Sequence, residues 1–193
     1  MRVLGIDPGS SVTGYGIVDY NPTPPTFNKG GGGGLSAITW GAIRTSNRIP
    51  FHKRLKTIHD GLVEIINKYS PDAVAIENLF FAENAKSALK LGQVKGAAIL
   101  SAVNLSLEVT EYTPLEIKQA IAGYGRADKM QVQRMVSTLL NLSENPHPLD
   151  ASDALAIAIC HIHTAQTKIK ENLPRPIHWM GAPPSFITKG KGR

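Results

Sequence analysis

The chain has 193 residues, 42% of them hydrophobic, which is one domain's length with enough apolar material for a sizeable core. No apolar run approaches the roughly 20 residues of a membrane span, no signal-peptide pattern opens the chain, and a single cysteine, Cys160, excludes an internal disulfide or a zinc cluster. Lys plus Arg (21) exceeds Asp plus Glu (15), a net +6, and six of those cations against one acid, Glu171, fall in residues 166–193. This balance suits a soluble, cytoplasmic protein. Its basic end attracts polyanions without reading sequence, although a solvated tail explains the same charge.

Residues 2–7 (RVLGID) form an apolar run that ends in a carboxylate and meets a Pro8-Gly9 turn. A strand pattern resumes over 13–20, so the chain opens as a hairpin. Residues 21–34 then collect three prolines and five consecutive glycines, a composition that cannot hold regular structure. A phosphate-cradling loop does not fit there, because no Lys-Ser/Thr pair or helix start follows. Residues 35–45 predict a third strand.

From Phe51 the pattern turns helical: Phe51, Leu55, Ile58, Leu62, Ile66 and Tyr69 recur at three- and four-residue steps. Residues 72–77 (DAVAIE) predict a buried strand that again ends in a carboxylate. A helix rich in small residues suits 84–104, with Gly92 and Gly96 on one face, and a fifth strand suits 107–112. Thr113-Pro114-Leu115-Glu116 is a capping box with proline at the first helical position, so a helix starts there. Further helices fit 128–141 and 149–165, and repeated Pro and Gly from 171 onward predict a loosely ordered end. The order is α/β, with a mixed five-stranded sheet flanked by helices.

Asp7 and Glu77 close strands, and Asp150 and Asp153 share a face of the last helix's first turn. Strand ends are where open α/β sheets gather ligands, and four carboxylates brought together need a cation to hold them. Mg²⁺ takes oxygen ligands of this kind, and two such ions can clamp both oxygens of a phosphodiester undergoing displacement. Residue by residue, plainer roles also fit: an Asp in a first helical turn serves as a cap, and Asp before Pro-Gly serves a turn. Spacing alone makes a metal site plausible without establishing it.

The stretches GIDPGSSVTGYGIVD (5–19), AIENLFFAENAKSALKLGQVKGA (75–97) and DASDALAIAICH (150–161) resemble the RuvC family of Holliday-junction resolvases. The resemblance runs in order across residues 1–165 and implies a ribonuclease H-like nuclease domain there, followed by a basic tail at 166–193. It also implies a homodimer that nicks two opposed strands of a four-way DNA junction in recombination and repair. Asp7, Glu77, Asp150 and Asp153 fall on the family's catalytic tetrad, with Asp at the third position where some members carry His. Two Mg²⁺ ions are implied, with Mn²⁺ as a substitute. So are a 5′-phosphate product and partnership with the RuvA–RuvB branch-migration complex. The Pro/Gly insert at 21–34 and the tail depart from the family pattern without touching the tetrad.

Phe80 is similar to the family's base-stacking phenylalanine, whereas Phe81 suits a packing role. Lys118 and Lys129, flanking Gly123-Tyr124-Gly125, are similar to its lysines that meet the DNA backbone. Arg44, Arg48, Lys53, Arg54 and Lys56 form a basic stretch that a solvated helix face explains equally well. His161 and His163 lie two apart on different helix faces, which rejects a second metal site, and Cys160 reads as a small core residue. Two other functions were open. GIDPGSSVTG is similar to the phosphate-binding hairpin of actin-like ATPases, but those need two such domains and the chain is too short. A non-catalytic junction-binding protein would have no use for four intact carboxylates.

Overall fold

The structure is a computed structural model that describes residues 1–22, 34–78 and 85–172. The insert at 23–33, Phe80 and Phe81, and residues 173–193 lie outside the described residues. Five strands form one sheet in the order β3-β2-β1-β4-β5: β1 (Arg2–Asp7), β2 (Val12–Tyr20), β3 (Leu35–Arg44), β4 (Ala73–Glu77) and β5 (Val109–Tyr112). β1 pairs antiparallel with β2 and parallel with β4, and β4 pairs parallel with β5. The hairpin comes from the short Pro8-Gly9 turn. The parallel pairs need helical crossovers, which α1 (Phe51–Tyr69) and α2 (Ala85–Val103) supply.

Strand alternation divides the core in two. Leu4, Ile6, Ile17, Val74 and Ile76 point to the face covered by α1 and α2, where they meet Ile58, Leu62, Val94 and Ala98. Val3, Val18 and Ala75 point the other way, toward the helix that closes the chain. That second face is covered by α3 (Pro114–Ala122), α4 (Lys129–Leu139) and α5 (Leu149–Asn172). Helices α3 and α4 both open on complete capping boxes, Thr113 with Glu116 and Asp128 with Gln131. Asp128 is thus a cap rather than the first helical residue.

α5 runs on to Asn172, so residues 166–172, expected in the tail, are helical. Its centre is almost wholly buried: Leu155, Ile157, Ile159 and Ile162 are each within 1% of full burial. Cys160 is buried with them, and burial pushes its thiol up to about 12, so it is a core residue as its position suggested. His161 Nδ1 meets the Tyr112 hydroxyl at 3.1 Å and His163 Nδ1 meets the Ala120 carbonyl at 3.1 Å.

Candidate active site

Parity places the first two carboxylates. Asp7 follows Val3 and Gly5 on the α5 face of β1, and Glu77 follows Ala75 on the same face of β4. The last parallel pair is Ile6 with Ile76, so Asp7 and Glu77 stand one step beyond it on adjacent strands. The other two carboxylates arrive because α5 lies unusually close to the sheet. A Cβ on Gly14 would sit 2.0 Å from the Asp150 carbonyl, and one on Gly5 would sit 2.0 Å from the Ala154 carbonyl. Only a surface without side chains admits the first turn of α5 to that depth. This glycine floor went unrecognised in the sequence, where residues 13–20 read simply as a strand; its signal was Gly5, Gly14 and Gly16, which the register Gly5 with Gly16 and Asp7 with Gly14 puts on one face.

The four groups act on one another. Asp7 is raised to about 7, first by burial and then by the charges of Glu77, Asp153 and Asp150. Glu77 is also raised, chiefly by burial and then by Asp153, with a hydrogen bond to Asp7 partly offsetting this. Lys129 donates to Asp153 Oδ2 at 2.8 Å, and that bond raises the ammonium's own pKa. A cleft of about 300 Å³ opens beside these groups, lined by Glu77, Asp153, Lys118 and Lys129 together with apolar residues of α3, α4 and α5. Sequence reasoning singled out both lysines, and the structure brings them to the carboxylates.

Two supports were not foreseen. Lys95 of α2 donates to Asn78 Oδ1 at 2.8 Å and to Glu111 Oε2 at 2.6 Å, fixing the residue that follows Glu77. Arg54, grouped with a solvated basic face in the sequence reading, is instead only 6% exposed. It donates to the Ser10 carbonyl, the Ser11 hydroxyl and the Thr45 hydroxyl.

The donor set is all oxygen, which suits a hard divalent cation. Burial first, and then mutual repulsion, raises Asp7 and Glu77, and such an ion would relieve the repulsion. Among the described residues, no group of three or more His, Cys, Asp or Glu is gathered tightly enough to close around an ion by itself.

Residues 3–161 match the family described as "Crossover junction endodeoxyribonuclease RuvC". The chain belongs to the RuvC family. A relative of that name from Alkaliphilus oremlandii (strain OhILAs) is 51% identical over 164 residues, which cover 85% of this chain and 94% of the relative. Among solved structures, Thermus thermophilus RuvC is 34% identical, with a TM-score of 0.76 over 87% of this chain and 97% of that one. The structure titled "T. thermophilus RuvC in complex with Holliday junction substrate" gives 0.79 at the same identity, over 87% and 96%. The ribonuclease H-like fold expected from the resemblance is therefore the fold of this RuvC family member. Among the described residues no helix is long and apolar enough to cross a membrane.

Proposed function

We propose that this chain is a crossover junction endodeoxyribonuclease that resolves Holliday junctions, with Asp7, Glu77, Asp150 and Asp153 as its catalytic carboxylates. One observation carries the assignment of the residues: burial, and then the charges of Glu77, Asp153 and Asp150 from β4 and α5, hold Asp7 up at about 7 beside a cleft that Glu77 and Asp153 line. Surface caps and turn residues do not do this. The tetrad would hold two Mg²⁺ ions, with Mn²⁺ able to replace them. When bound, such ions supply an activated water and neutralise charge on the leaving oxygen. The residues themselves bind and orient. Asp7 stands centrally, since all three other acids bear on it, and Lys118 and Lys129 offer cations to the backbone of the strand in the cleft. Cleavage would leave a 5′-phosphate and a 3′-hydroxyl.

Phe80, just beyond Glu77 in sequence, would stack on bases unpaired at the branch. Residues 1–165 would carry the nuclease, and the basic end would add sequence-blind attraction to DNA. A homodimer would place two sites about a two-fold axis, matching paired nicks on a symmetric junction. Helix α2 supports this. Leu89, Gly92, Gly96, Leu100 and Val103 fall on one stripe; the three larger residues are 69%, 55% and 52% exposed, and a Cβ on either glycine would meet nothing within 4 Å. Cooperation with RuvA–RuvB and work in the cytoplasm would complete this reading.

A synthetic four-way junction and a linear duplex, each incubated with the protein, test the reading. Paired symmetric nicks confined to the junction are expected with Mg²⁺ or Mn²⁺, and none with Ca²⁺ or EDTA. Nicking in EDTA would remove the metal mechanism, and equal cutting of linear duplex would remove junction specificity.

A further inference from the structure

Arg54 is a buried cation without a carboxylate. Among the described residues no acid lies within ion-pair distance of it. Its partners are neutral: Nε meets Thr45 Oγ1 at 3.1 Å, Nη2 meets the Ser10 carbonyl and Ser11 Oγ, and the guanidinium lies 5.5 Å from the Phe51 ring centre. A desolvated charge held only by dipoles is costly, and an arriving anion reduces that cost.

Three features give the anion its place. Arg54 grips the β1–β2 turn, which begins immediately after Asp7. That turn is held from the protein side by Thr13 Oγ1 on the Gly9 carbonyl and Thr45 Oγ1 on the Ser10 carbonyl, at 2.8 and 2.9 Å. Arg54 Nη1 has no partner among the described residues, so a pair of donors remains available. A second cation, Lys90 Nζ of α2, lies 5.8 Å from the centre of the same Phe51 ring. Lys118 and Lys129 belong to the α5 side of the sheet, whereas Arg54 and Lys90 belong to the α1–α2 side. Cations therefore flank the carboxylate edge on both faces.

We propose that Arg54, backed by Lys90, forms a second phosphate subsite, which takes a DNA backbone phosphate beside the β1–β2 turn on the side opposite Lys118 and Lys129. Guanidinium suits this task, because its planar fork can hold the turn and a phosphate at once. The strand being cut would then be held on both sides of the reacting bond.

The inference rests on the nuclease reading, and the experiment separates the two. Neutral methylphosphonates are placed one at a time along the strand to be nicked, and junction binding is titrated in EDTA at several salt concentrations. For the wild-type chain, one position outside those sensitive to Lys118→Met and Lys129→Met should lose affinity severalfold. Arg54→Gln, which keeps a donor for the Ser10 carbonyl but removes the charge, should not respond at that position. Its dependence of log affinity on log salt should be shallower by about one. Thr45→Val loosens the same turn without removing charge and should keep both responses. If Arg54→Gln and wild type respond alike, Arg54 only holds the turn and the subsite is overturned. Should Arg54→Gln fail to melt cooperatively, the wild-type scan still decides, since every sensitive phosphate answering to Lys118 or Lys129 leaves none for Arg54. Failure of the wild-type chain to prefer a junction over linear duplex would instead count against the function, because the phosphate response can be read on either DNA.

Discussion

The Lys129 ammonium of α4 sits 2.8 Å from Asp153 Oδ2 of α5, so one carboxylate of the cleft already has a cation beside it. The same charge lowers the pKa of both Asp7 and Glu77, against the burial and repulsion that raise them. Lys129 therefore helps keep the site ionised near neutral pH as well as lining the cleft.

Lys129→Met should slow junction cleavage on the order of 10²-fold, the loss typical of one well-placed electrostatic group. Its signature lies in the pH profile. Without the lysine, Asp7 and Glu77 ionise at higher pH, so the acid limb of the rate should move in the alkaline direction. Rates measured from pH 5 to 9 check this. A slower enzyme with an unmoved acid limb would confine Lys129 to contact with DNA.

Asp7→Asn should abolish nicking and leave junction binding intact. It should also change stability in a pH-dependent way. Folded Asp7 keeps its proton up to about 7, whereas an unfolded aspartate loses it near pH ~4. The folded state thus binds the extra proton, and this contribution is complete below ~4 and fades as pH rises through 7. Above that the native chain carries a crowded, ionised Asp7 that Asn lacks. In EDTA at pH 8 the variant should be the more stable protein, by no more than a few kcal/mol, with the difference closing toward pH 4. Thermal melts at both pH values measure it, and equal stabilities throughout would mean Asp7 is not strained.

Gly14→Ala tests how the site is assembled. The added methyl group would collide with the backbone of Asp150, which cannot rotate away as a side chain could. α5 should lift from the sheet at its first turn, displacing two carboxylates by a fraction of an ångström or more. A displacement of that order costs about 10²-fold in rate. Melting should fall with it. Gly61→Ala, where an added Cβ meets only the flexible Ile43 side chain, provides the control and should melt closer to wild type.

Leu100→Glu addresses the α2 stripe. Leu100 is 55% exposed in the single chain, so the change should leave the fold intact. If two copies meet along this stripe, buried like charges should yield monomers by sedimentation, and paired nicking should become uncoupled. A dimer unaffected by the change would place the two-fold contact elsewhere.

Much of this was readable in the chain. Asp7 and Glu77 could be placed because each ends a short apolar strand, and Thr113-Pro114-Leu115-Glu116 marked the start of α3 through its capping chemistry alone. Arg54 was misread for a physical reason. Helical spacing tells which residues share a face but not whether a turn 44 residues earlier presents a carbonyl to that face. The length of α5 was underestimated because Gln166 to Asn172 carries no apolar stripe to signal a helix, only residues that tolerate one. The glycine floor was missed because a strand pattern shows which positions face one way without showing how near the covering helix comes.

The order of the elements bears on how the enzyme comes into being. α5 is the last element among the described residues, yet it covers β1 and β2 and carries Asp150 and Asp153. During synthesis β1 through α4 leave the ribosome before α5, so the second face of the sheet then has only α3 and α4 to cover it. A nascent or prematurely released chain is thus exposed to aggregation. On the proposed assignment of Asp150 and Asp153, it also lacks half of its catalytic carboxylates until α5 docks.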